Sequence, residues 1–288
     1  MSILIQLDPI LLRKLQMVEL EMLIEVDRIC KKCGIKYHIF AGTMLGAVRH
    51  KGFIPWDDDA DVALMRSEYE RFREACKTEL DTSRFYFQDQ VITEGYRWGY
   101  GKIRRKDSLF LRENQKHMPY EQGIFIDVFP IDGIPNNLVM RAMHSLHCYC
   151  IRKILWSAVG RYADKSLWKR IWFGILYKIP HRMLLQHYKK FIRNSNKKRT
   201  KLVRMLMFPS PKNHSKREWF EESADIEFEG HIFRGAKDYH NYLTFTYGEY
   251  MEFPPPEVRK VHPVVAIKIP GEDTVWEEVE RPENEIYT

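Results

Sequence analysis

Four carboxylates crowd into five consecutive positions, and they constrain the fold more than any other feature of the sequence. Asp57, Asp58, Asp59 and Asp61 follow a Pro-Trp pair and precede an apolar run. Like charges this close repel each other, and burial strengthens the repulsion, so the economical explanation is a divalent metal held by oxygen ligands. If residues 61–65 form a strand, Asp59 and Asp61 point to the same face. We therefore predict that Asp59 and Asp61 form a pair of metal ligands.

Two other structures would also produce an acidic cluster. One is a solvated turn at the start of a strand. The other is an EF-hand, because Asp57, Asp59, Asp61 and Glu68 fall on loop positions 1, 3, 5 and 12. The EF-hand fails at position 6, where Val62 replaces the glycine of the sharp turn, and a glycine and a proline just upstream prevent an entering helix. The solvated turn remains an alternative to metal binding.

A glycine turn before the acids is suited to phosphate binding. Residues 35–40 are predicted to form a short strand, residues 41–43 a tight turn and residues 44–49 the start of a helix. Backbone N–H groups at such a helix start are unpaired and lie at the positive end of the helix dipole, so Gly42 and Thr43 are candidate phosphate contacts. A phosphate turn followed by Asp-x-Asp on a strand is the pattern of a nucleotidyltransferase fold.

A third carboxylate is expected on a later strand of such a fold. Asp127 lies inside the apolar run 123–130. A lone Asp in an apolar strand is costly unless it is paired or binds a metal. We predict Asp127 to be the third metal ligand and a candidate general base, with a capped buried turn as the alternative.

Several long motifs of this sequence resemble those of the LicD family of phosphocholine transferases. Fukutin-type sugar-phosphate transferases are more distant relatives. The motifs occupy residues 42–50, 52–61, 125–133, 247–251 and 254–262. The resemblance covers most of the chain outside about 140–220. The sequence departs from the family at Ala41, where glycine is more frequent, and at Ala60, where a branched residue is usual.

The resemblance implies transfer of phosphocholine from CDP-choline to a sugar hydroxyl of a glycan or glycolipid, with release of CMP. Asp59, Asp61 and Asp127 would hold one or two Mg²⁺ or Mn²⁺ ions, and Asp127 would deprotonate the acceptor. The residues leave other interpretations open: another CDP-linked donor such as a ribitol or sugar phosphate, a small-molecule nucleotidyltransferase, or a membrane-surface binding module with a relic site.

Basic residues are candidate contacts for the donor phosphates. Alternation along the predicted strand 98–104 puts Lys102 and Arg104 on one face. Family members carry a basic strand here, so we expect both to contact phosphate, with Arg49 as a third contact. The alternative is an exposed basic strand.

Aromatic and C-terminal residues complete the predicted site. Choline is a quaternary ammonium and calls for an aromatic cage. The candidates for that cage are Trp56, Tyr96, Trp98 and Tyr100. After three consecutive prolines, which fix an extended segment, Arg259 and His262 could reach back to the metal site or belong to a surface strap.

Charge divides the chain into three predicted regions: a catalytic core at 1–140, a basic helical insertion at 141–218 and a C-terminal segment at 219–288. Residues 141–220 hold 20 Lys and Arg against two acids, whereas acids outnumber bases elsewhere. A predicted helix over 167–179 carries apolar residues on one face and basic residues on the other. Such a helix is suited to binding an anionic membrane surface. A helix packed on the core with a solvated basic face explains the pattern equally well, and we expect no nucleic-acid partner because no binding motif accompanies the basic residues.

We expect an α/β (α+β) fold with a nucleotidyltransferase-like mixed sheet flanked by helices. The first eight residues lack the features of a signal peptide, and no apolar run approaches about 18 residues, so we expect a cytoplasmic protein, peripheral at the inner face of the membrane where the basic block docks. Five cysteines suit a reducing compartment, and the alternative is a zinc site formed by Cys30, Cys33, Cys148 and Cys150.

Overall fold

A seven-stranded mixed sheet forms the centre of the molecule in a computed structural model that describes residues 7–209, 214–259 and 261–277. Its strands are β1 (His38–Ile39), β2 (Asp61–Met65), β3 (Phe85–Gln88), β4 (Gly101–Arg105), β6 (Phe125–Ile134), β7 (Leu202–Arg204) and β8 (Ser215–Lys216). The order across the sheet is β1, β2, β6, β4, β3, with β7 pairing with the end of β6 and β8 with β7. Strands β2 and β6 run parallel, and the other described pairs are antiparallel.

Two smaller sheets and seven helices surround the central sheet in the described part of the chain. One small sheet contains β5 (Leu109–Arg112), β11 (Val264–Lys268) and β12 (Val275–Glu277), and the other is the hairpin of β9 (Ser223–Phe228) and β10 (His231–Ala236). The helices are α1 (Pro9–Cys33), α2 (Ala41–His50), α3 (Arg66–Glu79), α4 (Leu138–Ala163), α5 (Leu167–Tyr177), α6 (His181–Ser195) and α7 (Tyr239–Tyr247). The predicted α/β (α+β) class, a mixed sheet flanked by helices, is confirmed.

Local signals place α1. The Asp8 carboxylate accepts hydrogen bonds from the backbone N–H groups of Ile10 and Leu11, and Pro9 occupies the first helical position. The helix ends at Gly34, which adopts the left-handed conformation with φ 61°. One face of α1 is buried in the main hydrophobic core, so the helix supports the sheet.

One element boundary differs from the prediction. Helix α2 begins at Ala41, so Gly42 and Thr43 belong to its first turn and do not precede it. Helix α3 begins at Arg66, directly after β2, and no side chain caps its start.

The basic region contains three helices that pack partly on the core. Helix α5 lies on α4, where Phe173 sits against Gly160, and α6 contributes Leu184 and Tyr188 to a second hydrophobic cluster. Strand β7 belongs to the predicted insertion but pairs with β6, so the central sheet extends into residues 202–204. The domain boundaries at 140 and 218 stay predictions.

Two expectations concern membranes and cysteines. Among the described helices, none is both long and apolar enough to cross a membrane. The first six residues, on which the signal-peptide expectation partly rests, lie outside the described part. All five cysteines are free, and Cys30 and Cys148 belong to different hydrophobic clusters.

Candidate active site

Strand pairing brings Asp61, Asp127 and Lys102 side by side. Asp61 on β2 is the register partner of Asp127 on the parallel strand β6, and Asp127 is the register partner of Lys102 on β4. Register partners point to the same face of a sheet, so two carboxylates and one ammonium group meet at its centre. The Lys102 ammonium forms an ion pair with the Asp127 carboxylate.

Asp59 joins this group from the segment before β2. The strand begins at Asp61 and not earlier, so strand alternation does not orient Asp59 as predicted. Asp59 nevertheless lines the same cavity as Asp61 and Asp127. In the described residues no three His, Cys, Asp or Glu side chains form a ready set of metal ligands. The role of these three acids as metal ligands stays a prediction.

Burial and mutual repulsion raise the pKa values of the acids. Burial and the charges of Asp59 and Asp127 raise the pKa of Asp61 well above its usual value. Burial raises the pKa of Asp59, an effect that His262 partly offsets and that the charges of Asp58 and Asp127 increase. The apolar surroundings lower the pKa of Lys102 to about 7, although the Asp127 charge opposes that change. The site therefore carries more buried negative charge than its own cations stabilise.

The start of α2 fits closely against the acids. The Thr43 hydroxyl accepts a hydrogen bond of 2.8 Å from the Asp61 backbone N–H. A Cβ atom on Gly42 would lie 2.7 Å from Oδ2 of Asp57, so a larger residue would displace this carboxylate. Ala41 has φ 45°, a left-handed conformation that favours glycine. This conformation is the one in which the family resemblance implies glycine more often than alanine.

Two cavities share the acidic wall formed by Asp59 and Asp61. The first, of about 600 Å³, is also lined by Asp127, Lys102 and Arg104. The second, of about 700 Å³, is lined by residues of α2, the acidic loop and the proline segment, including Gly42, Arg49, Trp56 and Asp57. The predicted substrate contacts are therefore divided between two chambers.

The predicted phosphate contacts have different surroundings. Lys102 and Arg104 both line the first cavity, as alternation predicted. The Arg104 guanidinium already donates to the Gln88 side chain (2.7 Å) and the Gly123 carbonyl (2.6 Å). Arg49 lines the second cavity and donates to the carbonyls of Tyr250 and Glu252, both at 3.1 Å.

The four candidates for one aromatic cage are separated. Trp98 and Tyr100 line the first cavity, whereas Trp56 lines the second. Tyr96 is fully buried, packs on Tyr120 and lines neither cavity. The candidates are close in the sequence but separated in the structure, because neighbouring residues of the loop and strand point to different sides.

The C-terminal segment reaches back to the acids through His262. Its backbone N–H donates to Oδ2 of Asp58 (2.9 Å), and its Nδ1 lies 3.1 Å from Oδ1 of the same carboxylate. His262 also lines the first cavity. Arg259 instead stacks 4.3 Å from the ring centre of Trp56 and donates to the Pro254 carbonyl. Asp58, for which we predicted no separate role, anchors this segment.

Sequence reasoning missed two residues of the first cavity. Arg112, at the end of β5, lines the cavity, and its Nε and Nη2 atoms are buried without a hydrogen-bond partner among the described residues. Trp156 of α4 also lines the cavity, with its ring centre 5.6 Å from that of Trp98. No local motif marks either residue, because each reaches the cavity through tertiary packing.

A mixed sheet, a glycine-containing helix start and two register-paired aspartates define a nucleotidyltransferase-type domain. Residues 34–148 match the family described as LicD/FKTN/FKRP, nucleotidyltransferase domain. This part of the chain is therefore a nucleotidyltransferase domain of the LicD family, as the sequence motifs predicted.

Relatives extend the similarity beyond that domain. The chain is 29% identical over 258 residues to the lipopolysaccharide cholinephosphotransferase LicD of Haemophilus influenzae, an alignment that covers 87% of this chain and 95% of that protein. Shorter stretches match uncharacterised proteins of Rickettsia typhi (41% over 54 residues; 19% of this chain and 18% of that protein) and Rickettsia prowazekii (44% over 48 residues; 17% and 18%).

Proposed function

We propose that this protein is an enzyme that transfers phosphocholine from CDP-choline to a hydroxyl group of a glycan or glycolipid, releasing CMP. The observation that carries the proposal is the register pairing of Asp61 with Asp127 beside Lys102, on the wall of a cavity with basic and aromatic sides. The full-length similarity to a lipopolysaccharide cholinephosphotransferase supports phosphocholine as the transferred group.

The donor set fits Mg²⁺ or Mn²⁺. Asp59, Asp61 and Asp127 offer carboxylate oxygens alone, which hard divalent cations prefer. Burial and mutual repulsion raise the pKa values of Asp59 and Asp61, and a bound cation would reverse that effect. When bound, the metal would offset negative charge on the donor diphosphate.

The residues of the chain supply the remaining steps. Asp127 accepts the proton of the attacking hydroxyl at a carboxylate oxygen. The hydroxyl oxygen then bonds to the phosphorus of phosphocholine, and the bond from that phosphorus to the CMP oxygen breaks. Lys102 and Arg112 both line the cavity, so their cationic groups stabilise charge that develops on the phosphoryl oxygens.

The choline group would lie against aromatic side chains of the same cavity. Trp98, Tyr100 and Trp156 line it, and Phe208 lies 6.0 Å from Tyr100 between ring centres. A quaternary ammonium is attracted to aromatic ring faces, most strongly to tryptophan. This arrangement supports choline over an uncharged polyol as the group attached to the donor.

An anionic membrane is the proposed location of the acceptor, at the inner face of the cell membrane. Helix α5 exposes a stripe of large apolar side chains beside its basic residues, including Trp168 (81% exposed), Leu167 (66%) and Ile175 (60%). Basic residues interleaved with exposed tryptophan and aliphatic side chains suit the interface of an anionic bilayer.

Release of CMP tests the proposed activity directly. We expect CMP from CDP-choline in the presence of Mg²⁺ or Mn²⁺, with little product from CDP-ribitol and no pyrophosphate from CTP. Asp127→Asn should lower the rate by at least about 100-fold, the lower end of typical general-base contributions. Preferential use of CDP-ribitol would identify this compound, and not CDP-choline, as the donor. Pyrophosphate release from CTP would make the protein a nucleotidyltransferase, and no turnover of any donor would favour the binding module.

A further inference from the structure

Two arginine side chains lie against Tyr177 where the loop before β4 meets the helices of the basic region. The Arg97 guanidinium lies 4.9 Å from the Tyr177 ring centre, and the Arg161 guanidinium lies 3.6 Å from it. His181, at the start of α6, is close enough for the positive charge of Arg97 to affect its pKa. Arg97 is only 7% exposed.

These side chains lack partners for several buried nitrogen atoms. The Nε and Nη2 atoms of Arg97, Nε of Arg161 and Nδ1 of His181 are buried without a hydrogen-bond partner among the described residues. No ion pair within the described ranges involves Arg97 or Arg161. Buried polar groups are almost always hydrogen-bonded and buried charges are almost always paired. Three unpaired guanidinium nitrogens around one tyrosine therefore indicate a missing acceptor.

The electrostatics also favour an anion. Burial and the charge of Arg161 lower the pKa of Arg97, with Tyr177 opposing this change. Burial and the charge of Arg97 lower the pKa of His181. An anion with several acceptor oxygens would relieve the repulsion and complete the hydrogen bonds, and a phosphate group has both properties.

The cluster reaches the proposed reaction chamber through Arg97. Arg97 lines the first cavity, as do Trp156 and Ala163 of α4, and Asp59, Asp61 and Asp127 line the same cavity. A ligand in this cavity can therefore contact Arg97 with one part and lie beside the acids with another.

We propose that Arg97 and Arg161 form a second anion subsite that binds a phosphate group of the acceptor. The inference rests on the proposed function, because the donor diphosphate would be required beside the acids, where the transferred group is attacked. The subsite would then select a phosphorylated glycan acceptor. Its phosphate could be a sugar phosphate ester or the diphosphate that joins a glycan to a lipid.

Binding of two probes tests the subsite without relying on turnover. Glucose 6-phosphate represents the sugar ester and farnesyl diphosphate the lipid-linked diphosphate. Each is titrated calorimetrically into the full chain without divalent metal and with saturating CMP, which covers the proposed donor position. We compare the parent with Arg97→Gln, Arg161→Gln and the control Arg182→Gln, which removes an exposed cation next to His181.

We expect at least one probe to bind the parent and the Arg182→Gln variant with the same Kd. Its Kd should rise about tenfold or more in the Arg97→Gln and Arg161→Gln variants, because each loses charged hydrogen bonds. The probe that binds identifies the source of the phosphate. Equal Kd values in all four proteins, or no binding of either probe to the parent at millimolar concentration, would overturn the subsite.

The Arg161→Gln variant gives an independent test if the Arg97→Gln variant is poorly folded, because Arg161 is less buried than Arg97. CMP release distinguishes this inference from the proposed function. A parent that binds a probe through Arg97 but does not turn over CDP-choline would retain the anion subsite and reject the proposed reaction. A parent that releases CMP but binds neither probe would support the proposed reaction and reject the anion subsite.

Discussion

Two buried aspartates on neighbouring strands should respond oppositely to the same substitution. Asp61 faces Asp127 and Asp59, and burial and these like charges raise its pKa. Asp132 on β6 is fully buried but paired: the Arg66 guanidinium donates to both of its oxygens at 2.7 and 2.6 Å, and the Asn196 amide donates at 2.6 Å. Replacement of Asp by Asn removes the charge and nearly preserves the shape.

The expected magnitudes follow from these partners. In the absence of divalent metal, Asp61→Asn relieves repulsion, and we expect the free energy of unfolding to rise by about 1 kcal/mol, the typical size of a single-substitution effect. Asp132→Asn leaves the buried Arg66 charge without its counter-charge, and we expect a loss of about 3 kcal/mol or more.

Urea unfolding in EDTA and with added Mn²⁺ measures both effects. With metal at about 100 times its Kd, the parent should gain about 2.7 kcal/mol. Asp132→Asn should gain the same amount, and Asp61→Asn much less, because a proposed ligand is lost. The reasoning would be refuted if Asp61→Asn destabilised the metal-free protein as Asp132→Asn does, or if it kept the full gain on metal addition.

Three further predictions concern other parts of the site and its surroundings. Ala41→Gly should raise the free energy of unfolding by about 0.5–1 kcal/mol, because glycine accepts the left-handed conformation at φ 45°; a lower urea midpoint would contradict this. Asp58→Ala removes the acceptor for His262 and should speed proteolysis of the C-terminal segment in the native protein; an unchanged cleavage rate would show that this anchor is dispensable. Trp168→Ser should weaken co-sedimentation with vesicles containing phosphatidylglycerol, whereas Trp276→Ser, at an exposed tryptophan outside the basic region, should not; equal effects of the two variants would exclude α5 as the membrane contact.

Local sequence signals were reliable where the interactions that determine the structure are between neighbouring residues. Asp8, Pro9 and Gly34 determine the ends of α1, since capping and left-handed termination involve atoms a few positions apart. Alternation correctly put Lys102 and Arg104 on one side of β4. The same logic failed for Asp59, because alternation orients side chains only within a strand and β2 begins two residues later.

Long motifs carried information that no local rule contains. The sequence around the acids, together with the run through Asp127, was specific enough to predict the LicD resemblance, which the family match over residues 34–148 confirms. The assignments of metal, donor and individual substrate contacts stay predictions.

By itself the sequence determined the ends of α1, the strongly basic region and the acids that are candidates for chemistry, because capping, periodicity and charge depend on neighbouring residues. Only the tertiary structure decided which acids meet: the parallel pairing of β2 with β6 brings Asp127 beside Asp61. It also separated Trp56 from Trp98, brought Arg112 and Trp156 into the cavity and placed Arg97 and Arg161 against one tyrosine. These arrangements depend on strand order and helix packing, which result from contacts between residues distant in the chain and summed over the whole core.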